Sequence, residues 1–182
     1  MTPERRAPRR RLAPALLSLT VLAGVAGWAG PAGAQVRRAG YDLPLVLASE
    51  AALEAVRVCA ERGWPVTAAV VDASGDTKLL AKGDHSTVHT RTSSFRKAYT
   101  VVTLGPVFGF EALSSFVEKT RGGPNTPALA SLPDVLLLAG GVAVVVKGEI
   151  VAAIGVGGAP GGEKDEACAA AGLARIADRL PR

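Results

Sequence analysis

Charged residues recur with a helical period after residue 42, at spacings of four, three and four: Glu50, Glu54, Arg57 and Glu61. Leu53, Val56 and Ala60 lie behind them. This pattern predicts an amphipathic helix packed through its apolar side. Asp42 is placed to cap the helix, Pro44 suits its first turn, and Gly63 ends it.

Runs of β-branched and apolar residues predict the strands. Residues 65–72 and 77–82 form a hairpin through the turn Ala73-Ser74-Gly75-Asp76. The run 134–158 is interrupted at Gly140-Gly141 and at Lys147-Gly148-Glu149, which predicts three further strands. Because tight turns join neighbouring strands, we expect a mainly antiparallel sheet of about five strands.

Helices fill the remaining stretches. One runs from Thr87 or Thr90 to Leu104 and is stopped by Gly105-Pro106, a short one covers 110–119, and 120–133 reads as a loop. The last helix spans 163–179. The order α-β-β-α-α-β-β-β-α predicts an α+β fold with helices flanking the sheet, and not a doubly wound one.

The helix after residue 90 divides into two sides. One predicted stripe faces the sheet: Phe95, Ala98, Tyr99 and Val102. The opposite side is polar: His89, Ser93, Arg96, Lys97 and Thr100, joined by His85 if the helix starts early.

This polar side has two interpretations. Imidazoles can ligate haem iron or another metal, hydroxyls supply oxygen ligands, and Arg or Lys pairs with carboxylates. The alternative is an ordinary solvated helix surface, and spacing alone favours it. His85 and His89 could form half a zinc site, but no HExxH motif is present and Asp84 is the nearest third ligand.

A second stretch, "IGVGGAPGGEKDEACAAAGL" at 154–173, runs from a strand through a Gly/Pro loop into a helix. Free backbone N–H groups around Gly158 and Pro160 would suit an anionic ligand. Equally, the loop is a turn that needs glycine, followed by acidic residues that complement the helix end. The motif is neither a P-loop nor GxGxxG, and no catalytic triad can be assembled from the sequence.

The first 34 residues have the layout of a secretory signal peptide. Five arginines precede an apolar run from Leu12 to Ala29, and Ala32-Gly33-Ala34 offers a cleavage site after Ala34. We therefore expect residues 35–182 to form one exported domain, periplasmic or secreted, without a permanent membrane anchor. Removing residues 1–34 lowers the net charge from +5 to +1, so the remaining chain is not basic enough to suggest nucleic acid as a partner. Whether export follows the general or the twin-arginine route stays open.

Cys59 and Cys168 are the two cysteines of the chain. In an oxidising compartment they could form one disulfide, or both could simply be small buried residues. The sequence leaves this open.

Three stretches together resemble the GlcG/HbpS family, which includes the C-terminal domain of PduO-type proteins. They are "VVDASGD" at 70–76, "FRKAYT" at 95–100 and the segment 124–173, in the order that the family has them. The resemblance implies a domain that assembles into homo-oligomers and binds haem, with some members associated with iron handling or redox sensing. In the motifs "HT" and "KAYT" it implies cofactor contacts at His89, Thr90, Lys97, Tyr99 and Thr100.

On this resemblance His89 is the expected axial ligand, with Thr100 as runner-up, and Arg96 and Lys97 pair with propionates. The expected function is an exported haem-binding protein for carriage or redox sensing, more a binder than an enzyme. One alternative is a haem- or metal-dependent enzyme acting on a small organic acid or a reactive oxygen species. Another is an oligomeric partner domain of a sensor or transporter.

Overall fold

The computed structural model describes residues 40–181, so the predicted signal peptide and its cleavage site lie outside the described residues. The elements are α1 (Leu45–Ala60), β1 (Thr67–Asp72), β2 (Thr77–Lys82), α2 (His89–Phe108), α3 (Leu113–Thr120), α4 (Thr126–Ala130), β3 (Gly141–Val146), β4 (Glu149–Gly157) and α5 (Gly162–Ile176), followed by a 3₁₀ turn, Ala177–Arg179.

The strands form one antiparallel sheet in the order β2-β1-β4-β3. The predicted α+β class, hairpin and antiparallel pairing are confirmed. The sheet has four strands in the described part of the chain, where about five were predicted. The missing strand is the run from residue 134, because Asp134 has a left-handed φ of 60° and the N–H of Leu136 donates to the Thr100 side chain instead of to another strand.

Helices cover both faces of the sheet. Alternate strand residues point to opposite faces, so Val70 and Ile154 pack with α1 and α5, while Val71 and Ala153 pack with α2 and α3. The small residues of β4 bring α2 unusually close. At Gly155 a Cβ would lie 2.6 Å from the backbone N of Ala98, so only glycine allows this crossing.

The buried side of α1 differs from the prediction. A stripe of mostly small residues faces the core: Leu47, Ala48, Ala51, Ala52, Ala55 and Cys59. Leu53, predicted to lie behind the charged residues, is 60% exposed. Asp42 does not cap the helix, because its carboxylate binds Lys78 Nζ at 2.8 Å. Cys59 and Cys168 form a disulfide between α1 and α5, with Cα atoms 5.8 Å apart.

Several predicted bounds differ from the structure, among them the end of the last helix, which stops at Ile176 and not at residue 179. α2 continues past Gly105-Pro106 to Phe108. A proline in the last turn removes only one hydrogen bond, and Gly109 closes the helix: it adopts a left-handed conformation, and its N–H donates to Gly105 O. The predicted loop 120–133 contains the short helix α4, with proline in its first turn. Within residues 40–181, none of the helices has the length and apolar character needed to cross a membrane.

Candidate functional site

Both histidines are exposed at the beginning of α2. His89 is the first residue of the helix, and its Nδ1 lies 3.1 Å from Thr87 Oγ1. A hydrogen bond at one ring nitrogen orients the imidazole and leaves the other, Nε2, to meet a ligand. Val88, between the two histidines, is 74% exposed. Accessible imidazoles and an apolar side chain therefore share this surface.

The loop that leads into α2 is fixed by buried hydroxyl groups. Ser86 Oγ donates to Gly83 O at 2.8 Å, and Lys82 Nζ donates to Ser86 O at 2.6 Å. Thr90 Oγ1 lies 2.7 Å from Thr67 Oγ1 and donates to Thr87 O. Thr90, expected to contact a cofactor, is fully buried in this cluster, where it joins the helix start to β1.

Thr90 and Ser93 meet the end of β4. A Cβ at Gly158 would lie 3.2 Å from Thr90 Cγ2, and one at Gly157 would contact Ser93 Oγ. The structure thus brings together Thr90, Ser93 and Gly158 from the predicted site. Pro160 lies beyond them, exposed in the loop before α5.

Arg96 and Thr100 bind the irregular segment before β3 instead of solvent. Arg96 Nη2 donates to Val135 O at 2.6 Å, and the N–H of Leu136 donates to Thr100 Oγ1 at 2.9 Å. Thr100 is fully buried, so its predicted place on the polar side of α2 is wrong. The reason is that an interior segment with unpaired backbone groups needs a hydroxyl partner, and Thr100 supplies it.

Lys97 is also buried, with 1% of its side chain exposed, and its predicted place on the polar side of α2 is wrong as well. Its Nζ donates to Asp165 Oδ2 at 2.6 Å and to Val156 O at 2.9 Å. A buried ammonium is stable only when it is paired, and Asp165, which lies 68 residues further along the chain, provides the opposite charge. Gly140 leaves room for the ammonium, since a Cβ there would lie 2.6 Å from Nζ.

Asp165 also binds the Gly/Pro loop before α5, which the sequence left open as either an anion site or a turn. Its Oδ1 accepts the N–H of Ala159 at 2.8 Å, so the chain itself supplies the anion for this loop. Burial raises the pKa of the Asp165 carboxyl, while the hydrogen bond and charge of Lys97 oppose that rise. The backbone next to Gly158 and Pro160 thus serves a structural carboxylate.

Glu166 makes a second link that the sequence did not indicate. Its carboxylate accepts the N–H of Gly140 at 3.0 Å and the N–H of Ser114 at 2.9 Å, and it also accepts the Ser114 hydroxyl. It therefore joins α5, α3 and the entry to β3. Acidic residues after a Gly/Pro loop suggested only that they complement the helix end.

Metal ligation by protein groups alone finds little support in the part of the chain that is described. Between residues 40 and 181, no three His, Cys, Asp or Glu side chains lie close enough together to hold an ion. His85 and His89 would therefore need ligands from elsewhere. A porphyrin supplies four nitrogens of its own, so haem iron needs only one or two protein ligands.

The two histidines differ in their position relative to the cavities of the structure. A cleft of about 1070 Å³ lies away from both, between the end of α2 and the β3–β4 turn. A smaller groove of about 410 Å³ lies between the end of α1 and the loop before α2, and it includes His85. His89 is absent from the linings of both.

The family model described as haem degrading protein HbpS-like matches residues 43–174. No curated protein matches the sequence. Among solved structures, a double mutant of HbpS from Streptomyces reticuli is 37% identical, with a TM-score of 0.67, and the match covers 74% of this chain and 87% of that one.

Two more distant structures share the fold. A protein named ORFY from Klebsiella pneumoniae is 20% identical, with a TM-score of 0.68 and coverage of 79% of this chain and 97% of that one. A structure described as a PduOC–haem complex is 21% identical, with a TM-score of 0.66 and coverage of 75% and 96%. At this level of identity the likeness concerns the fold.

Proposed function

This chain belongs to the HbpS-like family, and on that premise we propose that it is an exported protein that binds haem for carriage or redox sensing. The observation that supports this most directly is the pair of exposed imidazoles, His85 and His89, at the beginning of α2. An imidazole on the surface can reach an external haem iron without any rearrangement of the core.

The residues of this chain fit a haem in part. An accessible imidazole and nearby apolar side chains provide what an iron ligand and a porphyrin face need. Lys97 does not fit the expected pairing with a propionate, because its ammonium already binds Asp165 in the interior. Thr100 does not fit the role of an axial ligand, since its hydroxyl holds Leu136. When bound, haem would supply the redox-active iron, while the protein supplies the ligand and the apolar surroundings.

Export is proposed on two grounds. The first is the arginine-rich and apolar layout of residues 1–34, with its cleavage site after Ala34. The second is the Cys59–Cys168 disulfide, since such bonds persist in oxidising compartments and are rare in the cytosol. Both favour a periplasmic or secreted location.

Homo-oligomers are proposed as well. The outer strand β2 leaves a sheet edge, and several large apolar side chains of the described residues are exposed, among them Val107, Phe108 and Leu138. Such features are common where copies of a chain, or a sensor or transporter partner, associate.

A hemin titration of the full chain, followed by absorbance, tests the proposal. We expect a saturable shift of the Soret band that is lost in the double variant His85→Ala/His89→Ala. Absence of a shift in the unaltered protein would refute haem binding. The family description names degradation, so the complex is then incubated with reductant and oxygen. A Soret band that persists supports carriage or sensing, whereas its loss with release of iron would make the protein an enzyme that consumes haem.

A further inference from the structure

The groove beside His85 lies between three segments: the end of α1, the turn that follows it, and the loop before α2. Its volume is about 410 Å³, within the range of roughly 300–1,000 Å³ usual for ligand pockets. Its lining is mostly apolar or glycine: Val56, Ala60, Gly63, Trp64, Pro65, Val66 and Gly83, with Asp84 and His85 as the polar members. An apolar slot with one imidazole is the environment in which haem iron is ordinarily held.

His85 is held in place by its backbone. Its φ of 61° lies in the left-handed region, which costs free energy for a residue with a side chain and persists only where the neighbours enforce it. On one side Gly83 packs against Val56, where a Cβ would lie 2.9 Å from Cγ1. On the other side Ser86 is buried and hydrogen-bonded back to Gly83 O. The imidazole therefore projects from a rigid loop at the edge of the groove.

Two cations lie beside the aromatic wall of this groove. Lys164 Nζ is 5.1 Å from the centre of the Trp64 ring, and Arg62 Cζ is 5.6 Å from it. Against these two positive charges the groove lining offers one carboxylate, Asp84. The two cations can pair with the propionates of a haem, a role that the buried Lys97 cannot fill.

We propose that His85 would ligate the iron of a bound haem, that the groove would hold part of the porphyrin, and that Arg62 and Lys164 would pair with its propionates. This rests on the proposed haem-binding function and departs from the expectation that His89 ligates the iron. His89 is exposed on α2 and does not line this groove.

The test is a hemin titration of the full chain with three single variants: His85→Gly, His85→Asn and His89→Ala. Glycine and asparagine both tolerate the left-handed conformation, so they remove the imidazole without straining the loop. We expect hemin affinity to fall at least about tenfold in both His85 variants, the lower end of the loss known for weakened metal sites. Free imidazole should restore the Soret spectrum of His85→Gly by occupying the vacated position, a result that a merely structural role for His85 would not produce.

Outcomes separate the two levels of the proposal. If the unaltered protein shows no Soret shift, haem binding itself fails. If it binds hemin, but His89→Ala loses the spectrum while both His85 variants keep it, haem binding stands and the assignment of His85 is overturned. Loss in the His85 variants without rescue by imidazole would also overturn it, because the loop and not the ligand would then be responsible.

The propionate pairing has its own test. Hemin and its dimethyl ester, which lacks the propionate charges, are titrated into Lys164→Gln and into Lys119→Gln, a matched change at an exposed lysine on α3. We expect Lys164→Gln to weaken hemin several-fold and to leave the ester unaffected. Equal effects of Lys164→Gln on both porphyrins, or equal effects of the two lysine variants on hemin, would overturn the pairing.

Discussion

Replacing Lys97 with methionine tests the strongest electrostatic feature of the fold. Lys97 and Asp165 have side chains 1% and 4% exposed, and their Nζ and Oδ2 atoms lie 2.6 Å apart. Methionine roughly keeps the length of the side chain and removes the charge. The carboxylate of Asp165 then stays in the interior with the N–H of Ala159 and without a counter-charge.

Losing one partner of a buried ion pair costs about 3–5 kcal/mol, because the remaining charge is desolvated and uncompensated. For a domain of this size, 1 kcal/mol corresponds to roughly 3 °C in the melting temperature, so Lys97→Met should melt about 10–15 °C lower. The cost depends on pH. Burial already raises the pKa of Asp165 above its ordinary 3.8, and removing Lys97 raises it further.

The direction of this pH dependence follows from the linkage between proton binding and folding. A carboxyl whose pKa is raised in the folded state favours folding below its unfolded pKa, and this contribution is lost as the pH rises through the folded pKa. The deficit of Lys97→Met relative to the unaltered protein should therefore be largest at neutral pH and shrink toward pH 4, near the ordinary value of 3.8. Asp165→Asn resembles the protonated carboxyl, so its deficit should also be largest at neutral pH and shrink as the unaltered protein protonates Asp165.

Thermal melts followed by circular dichroism from pH 4 to pH 8 give the measurement. Lys119→Met on α3 is the matched control, because the same substitution at an exposed site should stay within about 0.5 kcal/mol. If Lys97→Met melts with Lys119→Met at neutral pH, or if its deficit grows as the pH falls, the interpretation of Lys97 as a buried charge held by Asp165 is wrong.

Three further changes test other parts of the fold. Replacing both Cys59 and Cys168 with serine should cost about 2–5 kcal/mol, since the bond joins residues 109 apart, and equal melting with and without reductant would contradict it. Thr100→Val leaves the N–H of Leu136 without its acceptor and should cost about 1–3 kcal/mol, with faster hydrogen exchange at that amide; unchanged exchange would show that the bond does not hold the segment. Gly155→Ala places a methyl group against α2 and should cost about 1–3 kcal/mol by overpacking; an unchanged melting temperature would mean that helix and sheet are less close than described.

Local patterns in the sequence determined most of the elements. The helical period of charges after residue 42, the turn at Gly75 and the Gly/Pro loop before α5 depend on neighbours within a few residues, and all three gave correct elements. Predictions were wrong where residues distant in the sequence bind the segment in question. The run from residue 134 has the composition of a strand, but Thr100 and Arg96 take up its backbone groups before another strand can.

The site divides in the same way. Its exposed members, His85 and His89, could be found from the sequence, because a polar residue at the start of an amphipathic helix usually faces solvent. Lys97 could not be placed, because its burial depends on Asp165, 68 residues further along the chain. Nor could the sequence show that His85 borders a groove, since the walls come from separate segments of the chain. The sequence alone determined most of the helices and strands. The tertiary structure decided which polar groups are paired in the interior and which stay exposed, because charge pairing and burial depend on residues far apart in the chain.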